Sequence, residues 1–194
     1  MTSSKERISC KDGEFSAYVA KPDIANASAI IVIQEIFGVN KVMRDICDDL
    51  ASKGFIAICP DLFWRLEPDV DITDQSKAEW DKAFSLYNAF NVDKGVNDIQ
   101  ATIEFARKTS SKVGSVGYCL GGLLSYLTST RTDVNASVGY YGVGLDEHLG
   151  EAENSDVPLM LHVAEEDGFV SKDSQAAIKT ALTKPNHKIY SYPG

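Results

Sequence analysis

The most specific pattern in the sequence is Lys112-Val-Gly-Ser-Val-Gly-Tyr-Cys-Leu-Gly-Gly122. It starts as a short strand, passes through Gly117-Tyr-Cys-Leu-Gly121 and continues into a helical pattern. This is the G-x-S-x-G nucleophile-elbow pattern with a cysteine in place of the serine. Glycines two positions either side of Cys119 leave room for a sharp, strained turn. A buried cysteine in a glycine-rich turn is the alternative, but the strand before and the helix after favour a nucleophile.

The predicted helix after Cys119 gives that sulfur a special environment. A helix N-terminus carries a partial positive charge, which favours a thiolate and any oxyanion that develops beside it. The backbone amide of Leu120 is therefore a predicted oxyanion donor.

Buried strands and amphipathic helices alternate along most of the chain. The predicted strands are 15–20, 29–33, 55–59, 112–116, 136–141, 157–163 and 188–192. The predicted helices are 40–53, 75–90, 93–108, 121–129 and 171–183. Alternation of this kind indicates an α/β fold, a mostly parallel sheet with helices on both faces, which binds ligands at the carboxyl ends of its strands. Residues 61–73 are predicted to be a loop, and whether 61–75 forms a lid stays open.

Composition excludes several classes of function. The 194 residues contain 19 Lys and Arg against 28 Asp and Glu, a net charge of −9, so we expect no binding of nucleic acid or anionic membranes. The longest aliphatic run, Ala29–Ile33, is too short to span a bilayer, and the N-terminus has no signal-peptide pattern. We therefore expect a cytosolic protein with four free thiols and no bound metal.

A second informative segment is Ile33-Gln-Glu-Ile-Phe-Gly38, which follows a buried strand and so lies at the same sheet edge as Cys119. Glu35 is flanked by Ile36 and Phe37, and restricted solvation there would raise its pKa and suit it to exchange a proton with a thiol. A solvent-exposed glutamate in a loop is an equally good interpretation. The amide of Ile36 is the predicted second oxyanion donor.

An acid follows the strand at 157–163, where a catalytic triad of this architecture keeps its aspartate. Glu165, Glu166 and Asp167 compete for that role. Asp167 precedes Gly168 and an apolar pair, so it is predicted to point inward, and the two glutamates to face solvent.

The three histidines do not supply a convincing base. His162 lies within a predicted buried strand and is predicted to be a packed core residue. His187 begins the last strand, away from the site, and His148 precedes the acid in the chain, the wrong order for this fold.

The chain resembles the dienelactone hydrolase (carboxymethylenebutenolidase) family over nearly its whole length. The segments that carry the resemblance are Gln34–Asn40, Cys59–Phe63, Gly117–Gly122, Gly139–Gly144 and Glu166–Val170. The resemblance implies an α/β-hydrolase fold and a Cys-His-Asp triad that opens lactones or related esters without a cofactor.

Matched position by position, the resemblance makes Cys119 the nucleophile and Asp167 the triad acid. Glu35 matches the carboxylate that lies against the resting thiol and takes its proton when substrate arrives. Ile36 and Leu120 match the residues whose amides form the oxyanion hole.

Two departures from the family pattern matter. The family's histidine and a further helix come after the last strand, beyond Gly194, so we expect residues 1–194 to be one α/β-hydrolase domain lacking that histidine loop and last helix. An uncatalytic remnant is the alternative.

The second departure concerns the substrate. Dienelactone-type members bind the substrate carboxylate with an Arg and a Tyr, and these positions correspond here to Trp80 and Phe84. We therefore expect an apolar pocket, including Phe37, for a small ester or lactone that is not dienelactone itself. Arg65 could substitute for the missing charge, but an exposed loop arginine is the favoured interpretation.

Two other functions remain open. The scaffold could bind a ligand or partner without turnover, as a pseudo-enzyme. Cys119 could also act as a redox-sensing thiol, although the sequence places no resolving cysteine beside it. The oligomeric state is not predicted.

Overall fold

The computed structural model describes residues 1–193, in which eight strands form one sheet. The strands are β1 (Thr2–Cys10), β2 (Gly13–Lys21), β3 (Ala29–Ile33), β4 (Ile56–Pro60), β5 (Val113–Tyr118), β6 (Ala136–Tyr140), β7 (Leu159–Ala164) and β8 (His187–Tyr192). The helices are α1 (Lys41–Ser52), α2 (Lys77–Ala89), α3 (Val92–Arg107), α4 (Leu120–Arg131) and α5 (Lys172–Ala181), with a 3₁₀ segment at Leu145–Asn154.

The sheet order is β1-β2-β4-β3-β5-β6-β7-β8. The pairs from β4 to β8 are all parallel, and only β1 and β2 join the edge in antiparallel register. The predicted mostly parallel α/β sheet is therefore confirmed. β1 was not predicted because Ile8 is its one buried residue, so the segment lacks the apolar alternation by which a strand is recognised.

The helix boundaries follow local capping chemistry. The side chains of Asn40, Ser76, Asn91 and Ser171 each accept a backbone N–H from the first turn of α1, α2, α3 and α5, respectively. α4 differs, because its N-cap residue is Cys119 and no side chain caps it. The N–H of Leu120, the first amide of α4, is thus left to act on the Cys119 sulfur.

The two faces of the sheet are covered differently. α1 packs Met43, Cys47 and Ala51 against one face, over β2, β3 and β4. The other helices contribute to the main core on the opposite face.

On the α1 side, beyond β3, four rings from successive strands lie in a row: Tyr118, Tyr140, His162 and Tyr190. Their ring centroids are 5.1, 4.2 and 5.5 Å apart along the row, and Tyr190 is 45% exposed. The prediction that His162 is a core residue is therefore wrong: its side chain stacks on Tyr140 on this half-exposed face.

The turn between β5 and α4 is held by backbone contacts that admit only glycine. A Cβ at Gly121 would lie 2.3 Å from the carbonyl oxygen of Ile33 and 2.7 Å from that of Gln34. A Cβ at Gly117 would lie 1.9 Å from the carbonyl oxygen of Gly121. These contacts bring the end of β3 directly against the start of α4, so the chain after β3 must run beside Cys119.

We predict that Gly121→Ala lowers the free energy of unfolding by about 3 kcal/mol, because the new methyl group meets rigid backbone oxygens. Gly150→Ala is the matched control, since a Cβ there meets nothing within 4 Å. Chemical denaturation of both variants checks this. Equal stability of the two variants would contradict the tight approach of β3 to α4.

Candidate active site

Cys119 lies at a strained turn between β5 and α4. Its backbone has φ 55° and ψ −115°, a region that a non-glycine residue occupies only when the surrounding structure enforces it. Its N–H donates to the carbonyl oxygen of Tyr140 at 3.1 Å, and its own carbonyl oxygen accepts the N–H of Gly122 at 2.9 Å. The predicted sharp turn with a cysteine at its apex is confirmed.

A cavity of about 350 Å³ opens beside the Cys119 sulfur. It is lined by Glu35, Ile36, Phe37, Trp80, Phe84, Tyr87, Cys119, Tyr141, Val143, Ala164, Asp167 and Phe169. Every side chain that the sequence assigned to catalysis or the substrate pocket lies on this cavity. Leu120 is fully buried behind it and contributes its backbone amide.

The Cys119 thiol is protonated at rest. Its pKa is raised to about 11, chiefly by burial and also by the nearby carboxylates of Glu35 and Asp167, although the Leu120 N–H acts in the opposite direction. The Leu120 amide thus favours the thiolate, as expected for a helix N-terminus. The expectation is nevertheless wrong for the pKa of Cys119 as a whole, which is raised. Burial and two negative charges outweigh one donor.

Glu35 has the restricted solvation that its apolar neighbours predicted. Burial raises its pKa, the hydroxyl of Tyr141 lowers it by donating to the carboxylate at 3.3 Å, and the charge of Asp74 raises it. The alternative of a freely solvated loop glutamate is therefore wrong. A carboxylate with a raised pKa beside a thiol is suited to accept the thiol proton.

Of the three candidate acids, only Asp167 lines the cavity. Its carboxylate accepts the backbone N–H of Phe169 at 2.8 Å, which fixes the loop after β7. Glu166 is 71% exposed, as the pattern predicted, and it pairs with Lys172. Glu165 is half-buried rather than freely exposed, because it follows directly on the end of β7. The triad role of Asp167 stays a prediction.

One wall of the cavity is aromatic. Trp80 and Phe84, one turn apart on α2, stack at 5.5 Å, and Phe37 meets Trp80 edge-on at 5.1 Å. The indole N–H of Trp80 donates to the carbonyl oxygen of Asp74, so the ring is held in place. No lysine or arginine is among the residues that line the cavity.

Arg65 does not replace the missing charge. Its guanidinium is only 19% exposed and pairs with the buried Asp98 and with Asp12, so the expectation of an exposed loop arginine is wrong. No residue from 61–75 lines the cavity, and that segment instead bridges to Gly38 through Asp71.

Five cavity residues were not predicted: Tyr87, Tyr141, Val143, Ala164 and Phe169. Tyr87 had a signal, because positions 80, 84 and 87 share one face of a helix. Tyr141 lies within the Gly139–Gly144 motif but has no pattern that reveals its orientation. In the sequence, Phe169 is distinguished only as an apolar neighbour of Asp167, and in the structure it lines the cavity while 65% exposed.

None of the three histidines lines the cavity. Nδ1 of His162 contacts the hydroxyl of Tyr192 at 2.7 Å. His187 lies 3.2 Å from the carbonyl oxygen of Ser155, and His148 lies near Glu151. That none of these three histidines serves as the base stays a prediction.

Two further features of residues 1–193 bear on function. No group of three or more His, Cys, Asp or Glu side chains is placed to hold a metal ion. No helix in that range is long and apolar enough to cross a membrane.

Comparison with known proteins identifies the family. The family model described as "Dienelactone hydrolase family" matches residues 15–194. The chain belongs to the dienelactone hydrolase family. A protein from Azospirillum brasilense named "Putative carboxymethylenebutenolidase" is 45% identical over 191 residues, which is 94% of this chain and 81% of that protein. The carboxymethylenebutenolidase of Pseudomonas putida is 39% identical over 175 residues, covering 88% of this chain and 74% of that protein.

Solved structures agree at the level of the fold. A Klebsiella pneumoniae protein described as a putative dienelactone hydrolase superposes with a TM-score of 0.85 at 24% identity, covering 99% of this chain and 85% of that one. The dienelactone hydrolase-like promiscuous phosphotriesterase P91 superposes with a TM-score of 0.75 at 17% identity, covering 100% of this chain and 82% of that one. The expected α/β-hydrolase fold is confirmed, and the chain is a member of a family of lactone and ester hydrolases.

We predict that Cys119 reacts slowly with iodoacetamide near neutral pH, roughly 100-fold more slowly than an unperturbed peptide thiol, because only the thiolate reacts. The rate should rise with pH toward a midpoint near 11. Peptide mass mapping separates Cys119 from the other three cysteines.

Asp167→Asn removes one of the two nearby negative charges and should speed the alkylation of Cys119. Glu166→Gln is the control, because that side chain is exposed and lies outside the cavity. A wild-type midpoint at or below the ordinary cysteine value would contradict the assignment of a resting thiol.

Proposed function

We propose that this protein hydrolyses an uncharged ester or lactone with Cys119 as the nucleophile. One observation supports this proposal: the Cys119 thiol, which lies at a helix N-terminus, and the carboxylates of Glu35 and Asp167 line the same cavity. A thiol, a proton acceptor and a second acid at the carboxyl ends of β3, β5 and β7 are the parts that acyl transfer to cysteine requires.

In the proposed reaction, Glu35 accepts the Cys119 proton when substrate fills the cavity. The thiolate attacks the ester carbonyl, and the amides of Ile36 and Leu120 donate to the oxyanion. Collapse of this intermediate breaks the C–O bond and leaves an acyl group on sulfur, while the alkoxide takes a proton from a histidine. Water, deprotonated by the same histidine, then attacks the thioester and releases the acid and the Cys119 thiolate, which recovers its proton from Glu35.

The proposal requires a general base that His148, His162 and His187 do not provide, because none of them lines the cavity. We place this role on a histidine outside residues 1–194, oriented by Asp167. That assignment keeps residues 1–194 as one α/β-hydrolase domain without its histidine loop.

The cavity favours a substrate without a free carboxylate. Its charged groups are Glu35 and Asp167, and the positions that bind a carboxylate in dienelactone-type relatives are Trp80 and Phe84 here. An anion about 4–6 Å from a carboxylate is repelled by roughly 1–4 kcal/mol, so a neutral aromatic ester or lactone is preferred over dienelactone.

Redox sensing by Cys119 is the weaker alternative. Sensor cysteines are accessible thiolates of low pKa, whereas burial raises the pKa of Cys119 to about 11. A pseudo-enzyme differs from the proposed hydrolase because it would bind neutral esters without forming an acyl-enzyme.

The test is acylation of the purified protein by a neutral aryl ester, followed by intact-mass measurement. We expect residues 1–194 to retain one acyl group per chain on Cys119, located by peptide mapping, because the histidine that the proposal requires for hydrolysis of the thioester lies outside this range; Cys119→Ala should carry none. Cys10→Ala is the matched control, because Cys10 is half-buried on β1 and does not line the cavity. Binding without acylation would favour the pseudo-enzyme, and full acylation of Cys119→Ala would rule out the cysteine mechanism.

We predict that Trp80→Arg combined with Phe84→Tyr changes the selectivity. The new guanidinium should raise the acylation rate of a carboxylate-bearing aryl ester relative to its neutral counterpart by roughly 10-fold or more. Leu66→Arg is the control, because it adds the same charge at an exposed position outside the cavity. If Leu66→Arg changed the ratio of the two acylation rates as much as the double variant does, Trp80 and Phe84 would not contact the substrate.

A further inference from the structure

The hydroxyl of Tyr141 reaches the carboxylate of Glu35, a residue 106 positions earlier in the chain. The oxygen–oxygen distance is 3.3 Å. Among residues 1–193 this is the one hydrogen bond to the Glu35 carboxylate, since the amide of Gln34 contacts only the backbone carbonyl of Glu35. The position and charge of that carboxylate therefore depend on one phenol.

The main chain fixes where this phenol lies. Tyr141 follows β6 directly, and its N–H donates to the carbonyl oxygen of His162 on β7 at 2.8 Å. The preceding carbonyl oxygen, that of Tyr140, accepts the N–H of Cys119 at 3.1 Å. Tyr141 is thus tied on one side to the turn that carries the nucleophile and on the other to the strand that leads to Asp167.

The backbone at Tyr141 is strained. Its φ is 39°, a value that is rare for a residue with a Cβ. Strain of this kind persists where the surrounding structure enforces it, and it is concentrated at functional sites. Here the strained turn directs the ring into the cavity, where the hydroxyl meets Glu35.

Apart from the Tyr141 hydroxyl, the groups around Glu35 do not stabilise its negative charge. Asp74 is negative, and Tyr118, Tyr141 and Cys119 are neutral while protonated. No cationic side chain lines the cavity. An ionised carboxylate in such surroundings needs a donor, because a buried charge without one is costly.

We propose that Tyr141 is a positioning residue whose hydroxyl holds Glu35 ionised and fixed beside Cys119. This rests on the proposed function, in which Glu35 accepts the thiol proton. A glutamate that already carries a proton cannot accept one, so loss of the Tyr141 hydroxyl should disable the first step without removing any reacting group.

The test is a pH titration of Glu35 followed by NMR of protein labelled with ¹³C at the glutamate carboxyl groups. Glu35→Gln identifies the Glu35 signal. Tyr141→Phe should move the midpoint of Glu35 to higher pH, because the donor that favours the charged form is gone. Tyr87→Phe is the matched control: it removes another phenol hydroxyl from the same cavity, one that makes no hydrogen bond to Glu35, and should leave the midpoint in place.

An unchanged midpoint in Tyr141→Phe would overturn the proposal. Equal shifts in Tyr141→Phe and Tyr87→Phe would overturn it as well, because the effect would then come from cavity polarity and not from the contact. Thermal unfolding of both variants verifies that each is folded.

A second readout links the contact to chemistry. In Tyr141→Phe, the rate of Cys119 acylation by a neutral aryl ester should begin to fall at a higher pH as the solution is made more acidic. If wild-type protein is not acylated at all, the proposed function fails, while the NMR titration still decides whether Tyr141 controls the charge of Glu35.

Discussion

The close approach of α4 to the end of β3 is the constraint on which the rest of the site depends. Gly121 meets the carbonyl oxygens of Ile33 and Gln34 without room for a methyl group. This contact sets the height of the Cys119 turn relative to the loop that begins at Glu35. The thiol and the carboxylate therefore line the same cavity because two backbones touch.

The electrostatics of the cavity oppose the charged form of the nucleophile. Burial, Glu35 and Asp167 all raise the pKa of Cys119, and the Leu120 amide offsets only part of this. A thiol held in this way is protected from oxidation and from unspecific alkylation. In the proposed mechanism its reactivity depends on transfer of the proton to Glu35, so the cavity keeps the nucleophile latent until a substrate excludes water.

Much of this site could be predicted from local patterns, since each prediction rested on a short segment. The spacing of Gly117, Cys119 and Gly121 predicts the turn, and the apolar neighbours of Glu35 predict its raised pKa. Features that depend on distant contacts were not predictable in this way. The contact of Arg65 with Asp98 joins a loop to a helix 33 residues away, and nothing near Arg65 in the sequence reveals it. β1 was missed because a polar edge strand has no apolar pattern. Tyr141 was missed because its direction is set by its hydrogen bond to His162 on β7 and by the bond between the neighbouring Tyr140 carbonyl and Cys119.

The negative character of the cavity also bears on the end of the catalytic cycle. In the proposed reaction, hydrolysis of a neutral ester creates a carboxylate inside the cavity that Glu35 and Asp167 line, on a chain with a net charge of −9. The acid product is therefore repelled by the walls that accepted its uncharged precursor. The same two carboxylates that favour an uncharged substrate thus make rebinding of the acid product unfavourable in the proposed reaction.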